Sequence, residues 1–194
     1  MRARVLFALL PAVALVSASA RAHYHLDLPP PQVVQDSSGN PQKPGSLTDM
    51  CPAGAASGLR TKIVAGDQLR VQIRETVGHA GHYRVAFAAN KSAFSFPPPG
   101  SNPATDTVVT SGTCISTAIQ SPAVAPVLAD GLFLHTAQQA GNADFCNGTA
   151  TCDTNVTIPA NTAPGNYVMQ VYEWMEQHGS AANNGIWGCF YVHC

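Results

Sequence analysis

Two short stretches of the chain carry the residue types for metal chemistry. The first is Ala20-Arg21-Ala22-His23-Tyr24-His25, where a secretory leader is expected to end and leave His23 as the first residue. The second is Gly78-His79-Ala80-Gly81-His82-Tyr83-Arg84-Val85-Ala86-Phe87, with histidines at the mouth of an alternating segment. An N-terminal histidine offers a metal both its free α-amine and a ring nitrogen. One further imidazole completes a set of three nitrogens. Imidazole suits copper, and tetragonal nitrogen coordination is a mark of Cu(II). His23 together with one histidine of the second stretch, His79 or His82, is therefore the expected ligand set of one copper ion.

The amine exists only if the chain is cut ahead of His23. Arg2 and Arg4, the apolar run from Val5 to Val16 and the small residues after it have the layout of a signal peptide, and the run is too short to span a bilayer. Two A-x-A sites overlap, Ala18-Ser19-Ala20 and Ala20-Arg21-Ala22, and the second exposes His23. Residues 1–22 are thus expected to be a leader and residues 23–194 one domain with a sizeable core. No other stretch is long and apolar enough for a membrane helix, so the product is expected outside the cell or in the periplasm, free of membrane and monomeric.

The chain has 10 basic and 11 acidic residues. The leader would remove Arg2, Arg4 and Arg21 but no acid, leaving a net acidic domain without a basic run. Nucleic acid is then a poor partner, because neutralising phosphates needs clustered Lys and Arg. The 6 cysteines, Cys51, Cys114, Cys146, Cys152, Cys189 and Cys194, imply a disulfide framework in an exported chain. Their spacing leaves the connectivity open, although the Cys146-to-Cys152 loop is the easiest to close. A C-x-x-C metal pair is lacking.

The elements that must hold the histidines read as strands. From Leu28 to Gly58 the chain is rich in Pro, Gly, Ser and Asn, a long loop or hairpin excursion tied down by Cys51. After the Gly66-Asp67 turn, Leu69, Val71 and Ile73 alternate with Arg70, Gln72 and Arg74, the pattern of a half-buried strand. Tyr83, Val85 and Phe87 repeat it. Further strands are expected near Thr107–Thr110, over Leu128–His135, and over Ile186–Cys194. Asn155–Ile158 and Tyr167–Trp174 read as a strand pair joined through Pro164-Gly165-Asn166. With 15 prolines, 16 glycines and no long amphipathic helix, the expected class is all-β. The architecture would be an immunoglobulin/fibronectin-III-like β-sandwich with long loops, stapled by disulfides.

The remaining histidines have plainer readings. His135 and His178 are expected in surface or loop positions and His193 on a strand facing solvent; His25 is expected on the same side as His23, and one of His79 and His82 flanking the site. Tyr24 is the aromatic expected nearest the metal.

His23 after A-x-A, the H-x-G-x-[FY] run at His79-Ala80-Gly81-His82-Tyr83, and the ending Tyr191-Val192-His193-Cys194 together resemble the histidine brace of lytic polysaccharide monooxygenases. Ile158-Pro159-Ala160 through Pro164-Gly165-Asn166-Tyr167 is similar to the strand-turn-strand that precedes the last segment of such enzymes. Most closely the chain resembles a bacterial secreted polysaccharide-monooxygenase-like group. The resemblance implies that His23 binds copper through its amine and Nδ1, and His79 through Nε2. It puts Tyr191 on the axial side, or Phe190 if the register moves by one. It also implies a Cys51–Cys194 disulfide, with Cys114–Cys189 as the remaining pair. Where several such families carry Gln or Asn two residues before the axial aromatic, this chain has Cys189. Glu173, Glu176 and His178 are candidates for polar groups around the metal.

The expected function is then copper-dependent oxidative cleavage of a polysaccharide, by resemblance chitin or cellulose, fed by an external electron donor. A secreted copper carrier with the same brace is the alternative. A carbohydrate-binding sandwich without metal is the third reading, and it should show a row of exposed aromatics. A glycoside hydrolase needs a paired Asp/Glu site, and no motif nominates one. Intact-mass measurement of the exported protein should find His23 at its N-terminus. A start at Arg21 would remove the amine ligand and sink the brace.

Overall fold

The computed structural model describes residues 23–46, 49–94, 109–110, 113–114, 118–135, 146, 151–175 and 190–194. The fold is nearly all β. Strands β1 (His23–Leu28), β4 (Gln68–Val77) and β9 (Thr151–Thr157) form one antiparallel sheet in the order β1-β4-β9. Strands β5 (Gly81–Ala88), β8 (Val127–His135), β10 (Val168–Met175) and β11 (Phe190–His193) form a second, in the order β11-β10-β5-β8. Two small hairpins complete the set: β2 (Pro44–Ser46) with β3 (Asp49–Pro52), and β6 (Val109–Thr110) with β7 (Thr113–Cys114).

The alternation along each strand decides which side chains meet. In β4, Val71 and Ile73 are fully buried while Arg70 and Arg74 face water, as expected of a strand with one wet face. Across from them, Tyr83 and Val85 of β5, Val171 and Met175 of β10 and Tyr191 of β11 complete the core between the sheets. The four-stranded sheet is buried on its other face too. There Ala86, Tyr172, Trp174, Phe190 and Val192 pack against Met50 and Cys51 of β3 and against Phe94 of a short 3-10 turn, Lys91–Phe94. The excursion from Leu28 to Gly58 is thus the lid of a second apolar layer.

One expectation is overturned. Asn155–Ile158 and Tyr167–Trp174 are not partners: β9 pairs with β4, whereas β10 pairs with β5 and β11. The Pro159–Asn166 connection therefore crosses between the sheets rather than turning a hairpin. Apolar residues on both faces of β10 need two covers, which the middle of the four-stranded sheet supplies.

Cys51 is bonded to Cys194 and Cys146 to Cys152. Cys189 and the side chain of Cys114 lie outside the described residues, and so does their expected pairing. No helix among the described residues is long and apolar enough to cross a membrane. Disulfides of this kind persist in oxidising compartments. The Cys51–Cys194 bond closes a sequence separation of 143 residues. The double substitution Cys51→Ser with Cys194→Ser should lower unfolding stability by roughly 5 kcal/mol in the chain-entropy model, with measured losses often smaller. Urea unfolding of the double variant against the parent checks this, and no loss at all would mean the link does not constrain the unfolded chain.

Candidate metal centre

Register brings a set of polar side chains to one end of the sandwich. Tyr191, Glu173, Tyr83 and Leu132 pair successively across the four-stranded sheet and so share its inner face. The next row toward the end is Met175, Gly81 and His135. From the opposite sheet, Glu75 of β4 stands beside Tyr24 of β1.

Gly81 explains the glycine of the His79-Ala80-Gly81-His82-Tyr83 run. Its φ is +150°, and a Cβ there would lie 1.8 Å from the Trp174 carbonyl oxygen. Backbone cannot yield at that distance, so only glycine lets β5 approach β10 this closely. His135 is set by β8. That strand bulges repeatedly against β5, with positive φ at Gly131 (67°) and Phe133 (51°). Bulges of this kind re-aim side chains beside sites.

Glu75, His135 and Glu173 offer ligand atoms that all lie within 4.8 Å of one another, and none of the three is more than 2 % exposed. The group is one that can hold a metal ion. The Tyr83 hydroxyl donates to Glu75 Oε1 at 2.6 Å. His135 Nδ1 lies 2.8 Å from the Phe133 carbonyl oxygen, which only accepts, so Nδ1 carries the hydrogen. In the neutral ring that leaves the Nε2 lone pair directed toward Glu75, whose Oε1 is 3.8 Å away. Neither oxygen of the fully buried Glu173 accepts a hydrogen bond of ordinary geometry.

Electrostatics follow from this burial. Loss of water pushes the Glu75 carboxyl up to about 8, against the pull of the Tyr83 hydroxyl. Burial first, and then the Glu75 charge, hold Glu173 well above the ordinary carboxyl range; Tyr83 and Lys43 act the other way. Lys43 is exposed as a residue, but its ammonium packs over the Tyr191 ring; loss of water there lowers it to about 8, opposed by Glu173. With no cation present, both shifts favour the protonated carboxyls.

The residues singled out in the sequence divide as follows. The His23 backbone begins β1 and pairs with Val77, two residues before His79; its side chain lies outside the described part of the structure. His79 is half-buried just ahead of β5, with Nε2 shielded from solvent. Tyr191 is 6 % exposed, shares its row with Glu173, and lies under the Lys43 ammonium at 3.8 Å from ring centroid to Nζ. Phe190, the alternative to it, points to the other face of the sheet, against Trp174. Of the suggested polar groups, Glu173 belongs to the cluster, while Glu176 and His178 lie outside the described residues.

Several histidines depart from expectation. His135 and His193 are buried rather than at the surface. His193 Nε2 donates to the Tyr24 carbonyl oxygen at 3.1 Å, and its ring meets Tyr24 edge-on. His25 is buried against the Ser37 carbonyl, 2.9 Å from its Nε2. His82 turns to the outer face, 3.3 Å from Asp130, and supports the fold there. Tyr24 is fully buried with its hydroxyl donating to the Val171 carbonyl at 2.7 Å, so it offers no face to a ligand. Sequence reading missed Glu75 and His135. Glu75 gave a signal, since it stands where the Leu69-Val71-Ile73 alternation calls for an apolar residue.

Comparison of the chain with protein-family models, curated proteins and solved structures finds no match.

Glu75 and His193 contribute in opposite senses to the pH dependence of the metal-free fold. In the fold the Glu75 carboxyl holds its proton up to about 8, and unfolded it releases it near 4.5. Its contribution is complete below 4.5 and is lost as pH rises through about 8. His193 is lowered to about 4, chiefly by burial, so its contribution is present above 6.5 and lost as pH falls toward 4. The melting temperature should therefore peak between these limits and fall on the alkaline side, and Glu75→Gln should flatten that alkaline limb. Thermal melts across the range check it. An unchanged alkaline limb in the variant would mean that Glu75 is already charged in the fold.

Proposed function

We propose that this is an exported copper protein of the histidine-brace kind that cleaves polysaccharide oxidatively. The observation that carries the reading is the pairing of His23 with Val77. Two residues of chain, about 7 Å at full extension, separate Val77 from His79. The start of β1 and His79 are thus neighbours, a spacing suited to two imidazoles on one ion. The donor set fits the group: an amine and two imidazoles are the nitrogen ligands copper takes. Bound copper would supply one-electron chemistry toward peroxide or oxygen at the expense of an external reductant.

The chain's own residues support such chemistry in definite ways. Tyr191 fills the inner face beside the cluster and keeps water from that side. Tyr83 fixes the Glu75 carboxyl on the same inner face. A β-sandwich end lets such a site meet a solid polymer without a deep pocket. The exposed large apolar side chains among the described residues are aliphatic, Val64 and Val124 among them, which does not favour a binding module built on a row of aromatics.

The test is direct. Copper-loaded protein starting at His23, given ascorbate and peroxide, should release oxidised oligosaccharides from insoluble chitin or glucan. One extra residue ahead of His23 should abolish release, because the amine then leaves the ring it chelates with. His79→Ala should weaken copper binding by more than the roughly 10–100-fold that loss of a supporting partner costs a metal site. Tight copper binding with a brace-like electron paramagnetic resonance spectrum and no product from any polymer would make the protein a carrier instead.

A further inference from the structure

We propose that Glu75, His135 and Glu173 form a second metal site, separate from any copper at His23 and His79, that takes a divalent first-row cation such as zinc between the two sheets. The inference does not depend on the brace, because each of its three residues lies in the described structure.

Three observations carry it. The first is the donor set: two carboxylates and one imidazole converge from three strands, β4, β8 and β10, with their ligand atoms within 4.8 Å. Ligands at the 2.0–2.2 Å of zinc stand roughly 3.4 Å apart in a tetrahedron, so the group must close by about an ångström, which carboxyl rotation supplies. The second is Glu173. It is 0 % exposed and neither of its oxygens accepts a hydrogen bond of ordinary geometry. Such a group is normally satisfied by a partner. The third is orientation. The hydrogen bond from His135 Nδ1 to the Phe133 carbonyl turns Nε2 toward the carboxyls, and the Tyr83 hydroxyl fixes Glu75 through Oε1. Both are the outer contacts that orient metal ligands.

Charge selects a dication. Two carboxylates neutralise a doubly charged ion, leaving no net charge in the core, which is the condition for burying ions at all. The Arg84 guanidinium is engaged on the other face of the sheet, with Asp130 and the Tyr172 hydroxyl. One imidazole with two carboxylates is a borderline set of the kind zinc accepts, and it lacks the thiolate or thioether that would favour Cu(I).

The experiment uses the exported, disulfide-bonded protein, stripped with chelator and given one equivalent of copper. Titration with zinc, followed by calorimetry and by elemental analysis after desalting, should find one further equivalent bound. Glu173→Gln and Glu75→Gln should each weaken zinc at least 100-fold while copper stays. His79→Ala should do the reverse. Near-ultraviolet circular dichroism confirms that each variant keeps its packing. For a variant that does not fold, anomalous scattering at the zinc edge from crystals of the parent protein locates the ion directly. No zinc beyond that held by Glu173→Gln, or an anomalous peak elsewhere, would overturn the proposal. So would loss of zinc and copper together in His79→Ala, which would mean a single shared centre. Failure of copper to bind while zinc does would defeat the brace alone.

Discussion

The hydrogen bond from the Tyr83 hydroxyl to Glu75 joins the two sheets at the end where the candidate centre lies, and much else follows from it. A carboxyl facing the inside of a sandwich is costly unless it is neutral, paired or bound to a cation. Here one carboxyl from each sheet faces the same space. Tyr83 holds the first at 2.6 Å, and the second accepts no hydrogen bond of ordinary geometry. Replacing buried charged groups by apolar ones of similar volume is often neutral or stabilising. The two acids are therefore best explained by what they bind, protons in the absence of a cation and an ion in its presence.

His135 reaches this space because of a polar cluster on the far side of the same sheet. Asp130, buried in its side chain, lies 2.7 Å from Arg84 and 3.3 Å from His82, and also accepts the Gln120 and Gly131 N–H groups. Burial works against ionisation of Asp130, but the hydrogen bonds from His82, Arg84 and Gln120, with the Arg84 charge, outweigh it and hold the carboxyl far below its usual range. A fixed anion at this point pins the bulged middle of β8 to β5. The positive φ of Gly131 and Phe133 is tolerated because both flanks are held. The outer cluster thus acts on the inner one through backbone geometry, and His82, close in sequence to His79, belongs to the support rather than to the ligands.

How much of this was legible depended on whether a strand had one wet face. β4 alternates cleanly, and its span, preceding turn and buried face all follow from Leu69 to Arg74. β10 does not alternate in polarity, because Tyr172 and Trp174 are covered by the loop and Val171 and Met175 by the other sheet. Its partners could not be read, and neighbouring strands in sequence were paired wrongly. The site was legible only where chemistry and position coincide in sequence. His79 precedes a strand and stands out. Glu75 and Glu173 are 98 residues apart, a distance only register can close, and His135 looks like a strand end until β8 is seen to bulge. His193 misled for a related reason: next to a terminal cysteine it reads as exposed, whereas the disulfide draws it in.

The long excursion from Leu28 to Gly58 is what gives Tyr191 a fixed place. β11 is an edge strand of four residues, too short to hold itself by its pairing with β10 alone. The loop holds it from outside. Gln32 N–H donates to the Cys194 carbonyl at 2.5 Å, Val192 N–H to the Gln42 carbonyl at 2.9 Å, and Cys194 is bonded to Cys51. The buried Gln42 does more than cap an edge. Its side-chain oxygen accepts the Tyr24 N–H at 3.0 Å while its main chain accepts Val192, so one residue latches the β1 edge of one sheet to the β11 edge of the other. β1 carries His23 at its start and β11 carries Tyr191 beside Glu173. Gln42 and the disulfide thus hold the β11 edge, with Tyr191, against the β1 edge. A segment whose composition reads as an irregular excursion is in this fold the part that fixes the two edges relative to each other.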